Sequence, residues 1–496
     1  METEQARESM ATSLGHMLEE SCRQWPGHLA LLQEEGSLTY TDLDRAVNSL
    51  GNRMRDAGLQ KGDKIALMLP NGIEFVVSYF AIQKIGAVAV TLNVLSTAYE
   101  LRHLLGNSEA RGLITTTLNA QKLAEIRNDL PLCTFLLLHD EQNPASSPFR
   151  TAMTAGPFTL EMPEIKGADP AVMIYTAGLT GQPVGAVLTQ DNLLGQSFLL
   201  KTICGTTDQD RGLAVIPLFH SFGAVVNMLC VIRVGASVVL MDSFSLDGIF
   251  NAIERKKITF IAAVPRLFIG MVMQPENKES DLSSLKLCIS GGAAMPLEFF
   301  PRFEARFGFK IMEGYGLTEA SPVCAFTRPA GMHKPGSVGP VVPDVEAKVL
   351  DDTGRELPTG AVGELLIRGS NVMQGYYHAE AATTEVIRDG WLYTGDLARM
   401  DEDGYIFLTG LKKRMIITSG FNVYPREVEI VLNLHPAVQA SLAVGKPNLL
   451  RGEVVKALIV KHPDMDVDGK ELVRHCRQYL TPYKVPRDIE FVESLA

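Results

Sequence analysis

Tyr175-Thr176-Ala177-Gly178-Leu179-Thr180-Gly181-Gln182-Pro183-Val184-Gly185-Ala186-Val187-Leu188-Thr189 is the stretch that the rest of the chain frames. An apolar run, Ala171 to Ile174, leads into it, and Asp191-Asn192-Leu193 opens a helix behind it. The segment therefore reads as strand, glycine-rich turn, strand and helix start. Gly178, Gly181 and Gly185 permit positive φ and let backbone N–H groups approach an anion, while Thr176 and Thr180 add hydroxyl donors. Such a loop suits a phosphate; the same composition also suits an ordinary hairpin.

Bulk properties narrow the frame. The 496 residues are 46% hydrophobic and 21% charged, enough for two or three domains. A net charge of −11, with no basic run suited to neutralising a nucleic-acid backbone, disfavours nucleic acid as a partner. Seven cysteines are scattered without a Cys-x-x-Cys pair, which points to a reducing, cytoplasmic setting and no structural metal site. Met1 to Arg7 is acidic and polar, unlike a signal peptide. The most apolar stretch, Phe75 to Val94, is broken by Gln83 and Lys84. It falls short of a membrane span and leaves room only for transient membrane contact.

From Ser13 to about Ala168, amphipathic helices alternate with short apolar strands. The pattern predicts helices over Leu14–Gln24, Thr41–Gly58, Gly72–Gly86 and Ala98–Ser108, and strands over Leu29–Gln33, Lys64–Met68, Ala87–Leu92 and Gly112–Thr116. Alternation of this kind predicts an α/β fold with a mainly parallel sheet, whose ligands lie in the loops after the strands. Gln142 to Ser147 reads as a surface loop.

Further motifs follow in order. Pro217-Leu218-Phe219-His220-Ser221-Phe222-Gly223 comes after a strand over Gly212–Ile216, and His220 alone suits a buried structural histidine. Ser290-Gly291-Gly292-Ala293-Ala294 follows a strand over Lys286–Ile289. In Glu313-Gly314-Tyr315-Gly316-Leu317-Thr318-Glu319-Ala320-Ser321-Pro322, Tyr315 offers an aromatic face for a purine, Thr318 a donor for a phosphate and Glu319 a hard oxygen for magnesium. A tight turn around a buried tyrosine would read alike. Met373-Gln374-Gly375-Tyr376-Tyr377, Tyr393-Thr394-Gly395-Asp396 and Gly410-Leu411-Lys412-Lys413-Arg414 come next, the last also fitting a solvated basic run. Ser419-Gly420-Phe421-Asn422-Val423-Tyr424-Pro425 opens an α+β region with Pro425 in the first turn of a helix, and Leu480-Thr481-Pro482-Tyr483-Lys484-Val485-Pro486 precedes a strand over Asp488–Val492.

The order and spacing of these motifs closely resemble the adenylate-forming superfamily, which includes acyl- and aryl-CoA synthetases, firefly-type luciferases and peptide-synthetase adenylation domains. The wording of the Glu313 to Pro322 stretch is most similar to that of fatty-acyl-CoA ligases. The resemblance implies a large α/β domain over 1–409 with mixed, mainly parallel sheets, and a small mobile α+β lid over 410–496, hinged near Lys413. It implies ATP or AMP, magnesium and CoA as cofactors, and a small-molecule acyl substrate. By resemblance, Thr176, Gly178, Thr180 and Gly181 belong to the phosphate loop, and Gly292 and Ala293 line the pocket floor and meet the adenine. Tyr315 stacks on the base, Thr318 and Glu319 serve phosphate and magnesium, and Asp396 accepts the ribose hydroxyls. His220 separates acyl pocket from pantetheine channel, and Gly420 lines that channel once the lid has pivoted. A homodimer is compatible with the resemblance; no stretch demands one.

Departures from the family pattern fall on one ligand. The loop's usual form is Tyr-Thr-Ser-Gly-Thr-Thr-Gly-x-Pro-Lys-Gly; here Ala177, Leu179 and Val184 replace Ser, Thr and Lys. Leu411 stands where the family has Arg. The sequence runs to Glu493-Ser494-Leu495-Ala496, short of the Pro-x-x-x-x-Gly-Lys turn whose lysine serves adenylation in the family. Charge-assisted hydrogen bonds contribute about 1.5–3 kcal/mol, so these losses together predict weak or absent adenylation. Tyr315, Thr318, Glu319, Asp396, His220 and Gly420 remain, which predicts that the thioester-forming half survives better. A non-catalytic acyl-CoA or acyl-AMP sensor, and acyl transfer to an amine or carrier thiol, stay open as alternatives.

Overall fold

The computed structural model describes residues 11–34, 36–177, 183–242, 245–275, 280–412, 415–463 and 465–495. Alternating helices and apolar strands build a first sheet in the order Phe135–His139, Gly112–Thr116, Lys64–Met68, Val88–Thr91, Pro170–Ala177, Pro183–Thr189, Gly375–Tyr376. Its first five strands are parallel and its last two pairings antiparallel. A second sheet runs Val323–Phe326, Ile311–Gly316, Leu287–Ser290, Phe260–Ala263, Arg211–Ala214, Ser237–Leu240, Leu29–Gln33, Gly36–Thr39, parallel except at its two edges. The third, antiparallel, contains Val345–Leu350, Gly363–Gly369, Trp391–Met400 and Ile406–Leu411. A smaller C-terminal α+β domain follows, with Ile416–Thr418, Gly452–Lys461 and Val438–Asn448 in its sheet and the helices Pro425–Asn433 and Gly469–Tyr479 sharing its core.

Local chemistry sets the element ends. Thr39, Thr97 and Thr189 each cap a helix through a reciprocal box with Asp42, Glu100 and Asn192. The helix predicted over Thr41–Gly58 accordingly spans Tyr40–Asp56, and that over Gly72–Gly86 starts at Ile73, with Gly72 as its N-cap. The strand expected over Gly212–Ile216 is Arg211–Ala214: Asn71 Nδ2 donates to the carbonyls of Ala214 and Ile216, and its Oδ1 accepts from Leu218 N–H. That side chain takes backbone groups a longer ladder would have used. Gly185 also departs from expectation. It lies within Pro183–Thr189 without positive φ, and a Cβ there would come 2.7 Å from Met173 Sδ, so close packing, not turn geometry, requires glycine.

The break in the apolar stretch Phe75 to Val94 has a structural reason. Lys84 is fully buried, and its ammonium reaches Glu19 at 3.0 Å, Asp44 at 2.7 Å and Asn48 Oδ1 at 2.8 Å, joining three helices. Gln83 donates to Ala171 O and accepts from Gln190. No helix among the described residues is long and apolar enough to cross a membrane. Replacing Asp44 by Ala removes the shortest of the Lys84 bonds and is expected to destabilise the large domain by about 2 kcal/mol, read as a lower urea midpoint at unchanged slope. An unchanged midpoint would mean that Glu19 and Asn48 suffice.

Candidate nucleotide and acyl site

Strand ends from three sheets meet at one cleft, as expected for ligands at the carboxyl ends of parallel strands. The ladder between Pro170–Ala177 and Pro183–Thr189 sets Thr176 opposite Val184. The Thr176 hydroxyl donates to Glu319 Oε1 at 3.0 Å, and Tyr376, on the edge strand, donates to the same oxygen at 2.8 Å. Burial first and the Glu319 charge second push the Tyr376 phenol far above its usual range, so it remains a donor. Both bonds fall on Oε1; among the described residues Oε2 has no protein partner. No cluster of three or more metal-ligating side chains occurs among the described residues. A magnesium ion held by one carboxylate oxygen and completed by nucleotide phosphates fits that arrangement.

Thr318 lies in the single turn Thr318–Ala320 after Ile311–Gly316, its hydroxyl 3.4 Å from that of Ser221. Tyr315 is buried and donates to Asp396 Oδ2, coupling the second sheet to the third. Burial, reinforced by the Asp396 charge, keeps that phenol protonated. Asp396 in turn faces Leu411 across the ladder of Trp391–Met400 with Ile406–Leu411. The lid adds Tyr424, whose phenol is raised by burial first and then by Glu319, Glu427 and Asp396.

His220, half-buried, accepts from Phe222 N–H through Nδ1 at 3.2 Å, which leaves the proton of the neutral ring on Nε2. Desolvation pushes its pKa down to about 4. The imidazole borders a cleft walled by Leu199, Ile203, Val226 and Phe326 and lined by no Asp, Glu, Lys or Arg among the described residues. Part of that wall, Gly223–Leu229, is a π-helix that the sequence did not announce. Gly292, at φ 76°, lines the same cleft, with Ala293 half-buried beside it. Gly420, at φ 85°, comes in from the lid so closely that a Cβ would lie 2.4 Å from Val264 Cγ1. Phe421 then stacks on Phe219 at 6.4 Å and on Tyr483 at 4.5 Å. Gly178, Leu179, Thr180, Gly181 and Lys413 lie outside the described residues.

Thr176, Thr318, Glu319, Tyr315, Asp396, His220, Gly292 and Gly420 are thus gathered around one cleft and its lid. Tyr376 and Val264 were missed. The first sits in a motif that was noticed without a role; the second is an unremarkable valine whose importance comes only from the lid's approach.

Residues 18–377 match the AMP-binding enzyme family, and residues 427–496 match its AMP-binding enzyme C-terminal domain. The chain belongs to the AMP-binding enzyme family. Within that family it groups with acyl-CoA ligases. It is 33% identical over 512 residues to a long-chain-fatty-acid–CoA ligase of Bacillus subtilis, covering 97% of this chain and 91% of that protein. It is similar to Bacillus subtilis o-succinylbenzoate CoA synthetase bound with its product analogue OSB-NCoA, at 28% identity and a TM-score of 0.86, covering 97% of this chain and 95% of the other. Against ATP-bound MatB from Rhodopseudomonas palustris the identity is again 28%, the coverage 98% and 96%, and the TM-score 0.77. Members of this family use ATP or AMP and CoA on small-molecule acids.

The His220 environment gives a signed pH dependence. Between its ordinary value of 6.5 and about 4, the folded protein holds the ring neutral while the unfolded chain protonates it. The unfolded state binds more protons there, so stability is lost as pH falls through that window. The thermal midpoint of wild type is therefore expected to fall more than that of His220→Asn between pH 7 and 4.5; parallel declines would contradict the assignment.

Proposed function

We propose that this chain is an acid–thiol ligase for an apolar acyl group in which ATP-dependent adenylation is weakened and transfer from acyl-adenylate to CoA is kept. Register supports it. Directly opposed residues of an antiparallel pair share a face with Cβ atoms about 4.5–5.5 Å apart. Val184 opposes Thr176, which holds Glu319, and Leu411 opposes Asp396. Both positions where the family pattern implies a cation therefore stand beside the groups assigned to nucleotide, and both are aliphatic. Loss of a preorganised group that stabilises transition-state charge costs about 10²–10³ in rate.

In this reading the uncharged cleft takes the hydrocarbon of a fatty or aryl monocarboxylic acid. Tyr315 and Asp396 hold the adenosine, Thr318 donates to the α-phosphate, and magnesium when bound would neutralise phosphate charge beside Glu319. In the transfer step the CoA sulfur attacks the acyl carbon, the carbon–oxygen bond to phosphate breaks, AMP leaves and the thiol proton passes to solvent. His220, neutral with an Nε2–H donor, admits the thiolate path without adding charge. Arg451 lies 3.5 Å from the hydroxyl of Ser419, the residue before Gly420, and a guanidinium there suits a phosphate of CoA. All seven cysteines are free, in keeping with a cytoplasmic setting. A second reading, a binder of acyl-CoA or acyl-adenylate without turnover, is favoured by the same aliphatic pair.

Restoring the cations tests the proposal. Val184→Lys with Leu411→Arg is expected to raise acid-dependent exchange of pyrophosphate into ATP by about 10²-fold or more over wild type. Fast exchange in wild type, unchanged in the variant, would show that backbone donors suffice and would overturn it.

A further inference from the structure

The lid meets the large domain at a second place, away from the cleft. Lys484, 12% exposed at its side chain, ion-pairs with Glu427 of the lid at 2.8 Å and with Glu100 of the large domain at 2.9 Å. The Thr481 hydroxyl donates to both Glu100 oxygens, at 2.9 and 2.7 Å, and Thr97 donates to Tyr479 O at 2.8 Å. Tyr99 packs edge-on against Tyr479 at 5.3 Å. Glu100 is also the third residue of its helix and closes the capping box on Thr97, so its carboxylate is fixed before the lid arrives. Beside Lys484, Tyr483 continues the ring stack through Phe421 to Phe219, the neighbour of His220.

We infer that Glu100, with Lys484 and Thr481, is a positioning device that holds the lid in the thioester-forming pose, with Gly420 against Val264 and the stack on Phe219 complete. The inference rests on the proposed ligase reading for its kinetic consequence alone. The network is two-state by construction. If the lid turns away, Lys484 keeps Glu427, while Glu100 keeps its cap and exchanges lid donors for water. Each pose leaves no charge stranded, so the interdomain bonds bias the equilibrium without trapping it. Burial alone would depress the Lys484 ammonium, but Glu427 foremost and Glu100 outweigh it, so the pair is charged at neutral pH.

Glu100→Gln is the discriminating variant, because glutamine keeps the capping box while removing the charge. The full chain would be given octanoyl-adenylate and CoA in single turnover, its affinity for octanoyl-adenylate measured separately, and its lid pose read by small-angle X-ray scattering. Loss of buried charge-assisted bonds predicts transfer slower by about tenfold to a hundredfold, with adenylate affinity and thermal midpoint unchanged. Scattering should show a broader distance distribution, and Glu100→Asp should recover part of the rate. Wild-type transfer and wild-type scattering in Glu100→Gln would overturn the inference. If wild type itself transfers nothing, the ligase reading fails, while the scattering comparison still decides the device.

Discussion

One carboxylate oxygen organises the cleft. Glu319 Oε1 accepts from Thr176 and Tyr376, and the Glu319 carbonyl accepts from Met373 N–H. Two half-buried donors aimed at a single oxygen tolerate little displacement, because each would be left unsatisfied. The strand Pro170–Ala177, the edge strand Gly375–Tyr376 and the turn Thr318–Ala320 are thereby held together, joining the first sheet to the second. The same side chain is thus a structural joint between two sheets.

Around that joint, the side chains directly across the ladders from Thr176 and Asp396 are valine and leucine. A valine opposite Thr176 satisfies the sheet as well as a lysine would, since β-branched residues suit strands. Leu411, at 38% exposure, sits at the ladder's end with little packing at stake. Both aliphatic side chains are thus compatible with the strand pairings that carry them. The lid meets the large domain both at the close contact of Gly420 with Val264 and at the ion pairs of Lys484.

Much of this was legible in the residues. The strands Leu29–Gln33, Lys64–Met68 and Gly112–Thr116 appear where the apolar pattern puts them, because each has a buried centre within a sheet. Boundaries slipped where a side chain took over backbone bonding, as Asn71 does beyond Ala214. Gly185 looked like a turn glycine because composition does not distinguish positive φ from lack of room for a Cβ. Partners across ladders were not legible: that Val184 faces Thr176 and Leu411 faces Asp396 depends on register. The Glu100–Lys484 pair, 384 residues apart in sequence, belongs to a domain arrangement that no local pattern encodes.

We propose that electrostatics separates the two half-reactions in this protein. Mass spectrometry of the wild-type chain with CoA, supplied either with acid, ATP and magnesium or with premade acyl-adenylate, tests it most directly. The account predicts acyl-CoA from the premade adenylate and little or none from ATP. Equal yields from both, or none from the adenylate, would contradict it.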